Sequence, residues 1–309
     1  MNKISIQTGG MIDSLGIDEG LAAIKNAGFD CIDFGLDTFH KWDDIAKGIE
    51  CETFANEDNL WAYVNEVKTA ADKYGLTFGQ MHAPFPSYVT QSAKGSANVQ
   101  NDIRKTIEVC GYLGCRYLVT HPIFDGSARY PVLTKKTEHE LNMEFYSSLI
   151  PLLKKHNVVC CLENIWTLDY KAKKVYTAAC SEINEAAAYI DDLNAIAGEK
   201  CFGFCLDLGH LMILGQQPEF WVRRLGERIV TLHIHDNDGV GDDHALPYTG
   251  VLNCERFIEA LAQIGYTGTL NFETHGYHRR FPKELIPSAL KMIADMGKYF
   301  ASEISNSEK

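Results

Sequence analysis

Six apolar runs in this 309-residue chain close on groups able to bind metal or move protons. They end in His82; in His121; in Glu163 followed by Asn164; in Asp207 with His210 three residues on; in His233, His235 and Asp236; and in Glu273 followed by His275. The stretch GDDHALPYTG adds Asp242, Asp243 and His244. Singly, each has an ordinary explanation. Asp207 can cap a helix, with His210 a turn later; Glu163 can pair with a basic neighbour; Asp242 and Asp243 can be turn residues. Six separate explanations at six matching positions are weaker than one shared cause. Burying such groups without partners is costly, and a divalent cation offsets the cost. Mixed imidazole and carboxylate donors suit Zn, Mn, Co or Fe, whereas an all-carboxylate set favours Mg or Ca. The cofactor expected is therefore a divalent ion of the first kind, one or more per chain.

The elements that must position these groups follow from the hydrophobic pattern. Short runs rich in β-branched residues lie at 4–8, 29–35, 76–84, 116–122, 158–164, 202–210, 229–237 and 269–275. Each precedes a stretch of helical period: 18–28, 58–75, 98–114, 137–156, 181–198, 217–226, 253–265 and 283–300. Glycines close several helices, as in NAGFD, KYGLT and QIGYTG. Eight such units predict an α/β chain folded as a (β/α)8 TIM barrel, a single domain over 1–309 with a polar, frayed tail at 302–309. An open doubly wound sheet is disfavoured, because TGGMIDSLG after the first strand is not a phosphate-binding glycine loop. In a barrel of this kind chemistry sits at the C-terminal strand ends, where the polar groups fall. His233 and His235 share a face by the two-residue period. His233, one step deeper, is expected as a ligand, and His235 to serve the substrate or support a ligand.

The pieces HAPF (82–85), THP (120–122), LEN (162–164), LDLGH (206–210), HIHDND (233–238), DDHALPYTG (242–250) and NFE (271–273) occur in this order. In that order they resemble the xylose-isomerase-like barrel superfamily, which groups sugar isomerases and epimerases with endonuclease IV. The resemblance runs over nearly the whole chain. The epimerase branch implies one metal held by Glu163, Asp207, His233 and Glu273, with the two glutamates as the acid–base pair and His210 touching substrate. The endonuclease branch implies three ions, with His82, His121, His210, Asp242 and His244 as further ligands.

The first function expected is a metal-dependent isomerase or epimerase of a small sugar or polyol. The ion would polarise adjacent carbonyl and hydroxyl oxygens. Glu163 or Glu273 would take the C–H proton to give a cis-enediolate, and the other would return one. His210 and His235 would hold substrate oxygens. Trp42 and Trp166 would wall the pocket, and Arg279 would meet a substrate carboxylate or phosphate. The alternative is a metal-dependent phosphodiester hydrolase of the endonuclease IV type. Lys plus Arg number 29 against 41 Asp plus Glu, a formal charge of −12. The loop HKWDDIAKGIECETFANED is acidic, and only KAKK (171–174) and HRR (278–280) are basic. A nucleic-acid partner is not expected from this balance. No signal peptide or membrane span is visible, and ten scattered cysteines without a CxxC pair read as reduced thiols of a cytoplasmic protein. Subunit count stays open, a homo-oligomer included.

Overall fold

The computed structural model describes residues 1–126 and 131–307. Ten strands are β1 (Ile4–Gln7), β2 (Cys31–Gly35), β3 (Thr77–His82), β4 (Tyr117–Thr120), β5 (Val159–Glu163), β6 (Trp166–Asp169), β7 (Lys174–Thr177), β8 (Phe202–Asp207), β9 (Ile229–His233) and β10 (Leu270–Phe272). Eight of them form one sheet in the order β10-β1-β2-β3-β4-β5-β8-β9, and Ile234 bridges Phe272 in parallel beyond the last two. This is the (β/α)8 barrel that the eight alternations predict. Both faces of β1, β2, β5, β8 and β9 are buried, as parallel strands covered by helices require.

The chain divides into two compact units. The first comprises residues 1–34, 65–79 and 205–309, and the second 35–64 and 80–204. The first unit holds helices α1 (Met11–Leu15), α2 (Ile17–Ala27) and most of α5 (Glu57–Tyr74). It also holds α9 (Leu208–Ile213), α10 (Pro218–Leu225), α11 (Cys254–Gln263), α12 (His275–His278) and α13 (Ile286–Ser307). There α13 lies so close to the sheet that a Cβ on Gly297 would stand 2.9 Å from Ile4 and from Phe272. The second unit holds α3 (Trp42–Ala46), α4 (Glu52–Ala55), α6 (Ala93–Tyr112), α7 (Lys135–His156) and α8 (Ile183–Ala197). Its α6 and α3 approach closely: a Cβ on Gly95 would lie 1.8 Å from the Ile45 carbonyl oxygen. Helix ends follow their residues. Gly28 takes φ 102° and donates to the carbonyls of Ile24 and Lys25, and Asn157 closes α7 in the left-handed region at φ 57°.

Four features differ from the sequence expectation. The 302–309 tail is not frayed as far as it is described. Helix α13 runs to Ser307, because Ala301 and Ile304 extend the buried stripe of Gly297 and Phe300; residues 308 and 309 lie outside the described residues. The run 202–210 splits into β8 and α9, since Asp207 caps the helix with Oδ1 accepting from His210 N at 2.7 Å. The segment after β5 folds as the antiparallel β6–β7 pair, Trp166 opposite Thr177. Finally, β9 stops at His233 rather than 237, and the chain beyond it pairs Asp236 with Ala245.

Candidate metal centre

In the first unit, donors gather at the ends of β8, β9 and β10. His233 is buried, with Nδ1 3.2 Å from Glu273 Oε2 and 3.6 Å from Asp207 Oδ2. Two donors bound to one ion at about 2.1 Å stand about 3.0–3.4 Å apart, whereas a charge-assisted hydrogen bond closes to about 2.7–2.9 Å. The 3.2 Å contact falls in the first range and the 3.6 Å contact just outside it, and the donor set is the mixed kind that suits Zn, Mn, Co or Fe. The other ring nitrogen, Nε2, faces Asp33 Oδ2 at 3.6 Å, and Asn271 Nδ2 donates to that same oxygen at 3.0 Å. A carboxylate behind a ligand imidazole fixes its orientation.

Asp207 has two tasks, since the cap of α9 and the ligand expectation fall on one carboxylate. Its two oxygens also lie 3.1 Å from His235 Nε2. Gly209 makes that contact possible: a Cβ there would stand 1.9 Å from His235 Cε1. His235 is thus buried and turned toward Asp207, which suits support of a ligand better than contact with substrate. Its ring stacks on His244 at 4.2 Å.

The segment after β9 brings a second group of donors. Asp242 Oδ2 lies 3.3 Å from His210 Nε2 and 3.5 Å from His244 Nε2. His244 has φ 45° and puts Nδ1 2.9 Å from the Glu273 carbonyl, so that nitrogen carries a proton and Nε2 is turned toward Asp242. Donor atoms of His235, His244 and Glu273 lie within 4.8 Å of one another. Asp236 anchors the segment, its carboxylate accepting from the backbone N–H of Asn237, Gly250 and Leu252 at 2.9–3.0 Å.

In the second unit, His82, His121 and Glu163 come together at the ends of β3, β4 and β5. Glu163 Oε2 is 3.4 Å from His121 Nε2 and 3.7 Å from His82 Nε2. His82 Nδ1 donates to the Ala83 carbonyl at 3.0 Å, which turns Nε2 toward Glu163. Phe85 of the HAPF run packs on His121 with ring centroids 4.3 Å apart, and Trp42 lies against Phe85 at 5.9 Å. Trp42 therefore borders this cluster, whereas Trp166 opens the β6–β7 pair.

Acidic and imidazole groups of the first unit act on one another's charge. Burial would raise Asp207, but the neighbouring His210 and His235 outweigh it and hold its carboxyl well below the usual range. Asp242 is held low in the same way, against burial, by His210 and His244. Burial opposes the charged form of His244 too, yet Glu273 and Asp242 raise it to about 9. His275 goes the other way, to about 2, through burial and the neighbouring His244.

Of the four donors that the resemblance assigns to one ion, Asp207, His233 and Glu273 converge in the first unit. Glu163 lies in the second with His82 and His121. Arg279 is exposed and its guanidinium covers the loop at Gly10. Sequence reasoning missed Gln7, Asp33 and Asn271. Gln7 ends β1 and donates from Nε2 to Glu273 Oε1 at 2.7 Å. The strand-end rule that found the other donors would have found it, had neutral amides been included.

Comparison with known proteins gives the family of the fold. The profile described as "Xylose isomerase-like TIM barrel" matches residues 21–296. An uncharacterized protein of Methanocaldococcus jannaschii is 24% identical over 263 residues, 82% of each chain. One of Sinorhizobium fredii is 40% identical over 72 residues, only 23% of either chain. A solved D-tagatose 3-epimerase-like protein superposes with TM-score 0.70 at 19% identity, covering 97% of this chain and 98% of its own. The 3-keto-D-glucoside 4-epimerase of E. coli gives 0.69 at 15% identity, covering 97% and 100%. At such identities these two likenesses concern the fold. With a profile match over most of its length, the chain belongs to the xylose isomerase-like TIM barrel family.

Proposed function

We propose that the protein is a divalent-metal-dependent isomerase or epimerase acting on a small sugar or polyol. The observation that carries this reading is the convergence of Asp207 Oδ2 and Glu273 Oε2 on His233 Nδ1 at 3.6 and 3.2 Å. Asp207, His233 and Glu273 would hold the ion, and the family resemblance of the sequence adds Glu163. The chemistry supplied by a bound ion is Lewis acidity toward adjacent carbonyl and hydroxyl oxygens, which acidifies the C–H between them. Glu273 and Glu163 divide the proton work, one taking the proton from carbon and the other returning one. His210 holds a substrate oxygen, and His235 keeps Asp207 in place. Trp42 and Trp166 supply apolar wall for sugar C–H faces, and Arg279 meets any anionic group the substrate carries. The solved structures that this fold resembles include epimerases, which is consistent with this class.

The test is solvent exchange. Purified protein loaded with Mn, Co or Zn is incubated in D2O with a panel of ketoses and aldoses, and deuterium at carbon is read by NMR. Incorporation at a carbon beside the carbonyl is expected, and its absence for every sugar would sink the proposal. A second reading is a phosphodiester hydrolase with several ions. It is favoured by two imidazole nitrogens meeting one oxygen of Asp242, and two meeting one of Glu163. The formal charge of −12 weighs against a nucleic-acid substrate. Catalytic nicking of an abasic-site oligonucleotide would reverse the order of the two.

A further inference from the structure

We propose that Gln7 is a positioning residue that decides which oxygen of Glu273 faces the chemistry, and that His275 locks Gln7 in turn. The proposal rests on the reading of Glu273 as ligand and acid–base group. Glu273 Oε1 receives Gln7 Nε2 at 2.7 Å, while Oε2 is the oxygen 3.2 Å from His233 Nδ1. An ionised carboxylate only accepts, so the amide must turn its NH2 toward Glu273 and its carbonyl oxygen away. That oxygen lies 3.1 Å from His275 Nδ1, which must therefore carry the ring proton. Carboxylate, amide and imidazole thus form a chain with one proton arrangement. Rotation of the Glu273 carboxylate would break it.

The surroundings fit this bracket. Gln7 is buried. His275 stands two residues after Glu273 and opens α12, so β10 and α12 are tied to β1 through one amide. The TGG run after β1, which no phosphate site explains, leaves room for it. A Cβ on Gly9 would stand 3.3 Å from Gln7 Oε1, and one on Gly10 would stand 1.9 Å from Arg279 Nε. With Oε1 engaged by Gln7, Oε2 is the oxygen turned toward His233.

Two substitutions separate the links. Gln7→Met keeps the length of the side chain and removes both hydrogen bonds. Gln7→Glu keeps an acceptor for His275 and replaces the donor to Glu273 with a second carboxylate. In metal-free protein, 15N shifts of the His275 ring should report Nδ1–H for the native chain and for Gln7→Glu. For Gln7→Met they should move toward Nε2–H. In the loaded enzyme both variants should lose roughly 10–100-fold in kcat, with KM and metal content nearly unchanged. A residue of merely structural importance would lower thermal stability without this split. An unchanged His275 tautomer in Gln7→Met, or an undiminished kcat in either variant, would overturn the proposal. If Gln7→Met does not fold, Gln7→Glu carries the test: native tautomer with lost kcat supports it, and native kcat ends it. Should the native enzyme exchange no sugar C–H, the functional reading fails, while the 15N shifts still decide whether the bracket exists.

Discussion

At the scale of single residues, the first unit crowds carboxylates together, and Asp33, Asp207, Asp242 and Glu273 each face an imidazole. Glu273 is the most connected, with Oε1 on Gln7, Oε2 near His233 and its carbonyl on His244. Glu273→Gln keeps the volume and removes the charge. It should nearly abolish sugar C–H exchange and weaken metal binding, and unaltered kinetics would remove Glu273 from the site. Protons should report the same crowding. His244 is raised from 6.5 to about 9 by Glu273 and Asp242, against burial. A group raised on folding stabilises fully below its unfolded pKa, and that contribution disappears as pH climbs through the folded one. The metal-free protein should therefore lose on the order of 3 kcal/mol of stability between pH 6.5 and 9. Asp207 is depressed, so its contribution is present above about 3.9 and fades as pH falls further. His275 is lowered to about 2 by burial, so its contribution is lost as pH falls below 6.5, and melting temperatures measured in chelator across pH 3–10 should peak near 6.5. His244→Gln should flatten the alkaline limb, and a flat native profile from 6.5 to 9 would contradict the assignment.

At the scale of elements, a single carboxylate shapes the segment that delivers Asp242 and His244. Asp236 gathers three backbone N–H groups from Asn237, Gly250 and Leu252, and its own backbone pairs with Ala245. Asp236→Ala would leave those donors without an acceptor. Hydrogen bonds to a charged group are worth roughly 1.5–3 kcal/mol each, and water replaces part of that. A loss of about 3 kcal/mol in denaturant unfolding is expected, together with faster proteolysis within 237–252. A variant as stable and as protease-resistant as the native chain would show that the segment is held elsewhere. The sequence could not reveal this role, because HIHDND reads as an alternating strand and nothing in it marks Asp236 as the place where the strand ends. The barrel was legible for the opposite reason: strands buried on both faces leave continuous apolar runs, and glycines such as Gly28 mark where helices stop. The strand-end groups were legible because each closes an apolar run. Asp33 escaped notice in CIDFG, and Gln7 and Asn271 are neutral amides with no charge to betray them. Helix α9 hid in the apolar phrase LDLGHLMIL, and the last turn of α13 hid behind the polar letters around Ile304.

At the scale of the whole molecule, the question is how many ions one chain carries. Among the described residues no helix is long and apolar enough to cross a membrane, and each of the ten cysteines is a free thiol. Purified protein can therefore be stripped with chelator and reloaded without disulfide chemistry to manage. Metal that binds the native state and not the unfolded one stabilises it by mass action, about 2.7 kcal/mol at a hundredfold excess over Kd. Melting temperature should rise with added Mn, Co or Zn and fall again in chelator. Stoichiometry then separates the arrangements. If Asp207, His233 and Glu273 hold the only ion, elemental analysis gives one per chain, and His82→Ala leaves that value unchanged. If the His82–His121–Glu163 cluster of the second unit holds its own, the native value exceeds one and His82→Ala lowers it. One ion per native chain is the outcome the isomerase reading expects; a value above one that His82→Ala lowers would favour the hydrolase. A native stoichiometry of one, unmoved by His82→Ala, would reduce that cluster to two histidines orienting a glutamate, and with it the case for hydrolase chemistry.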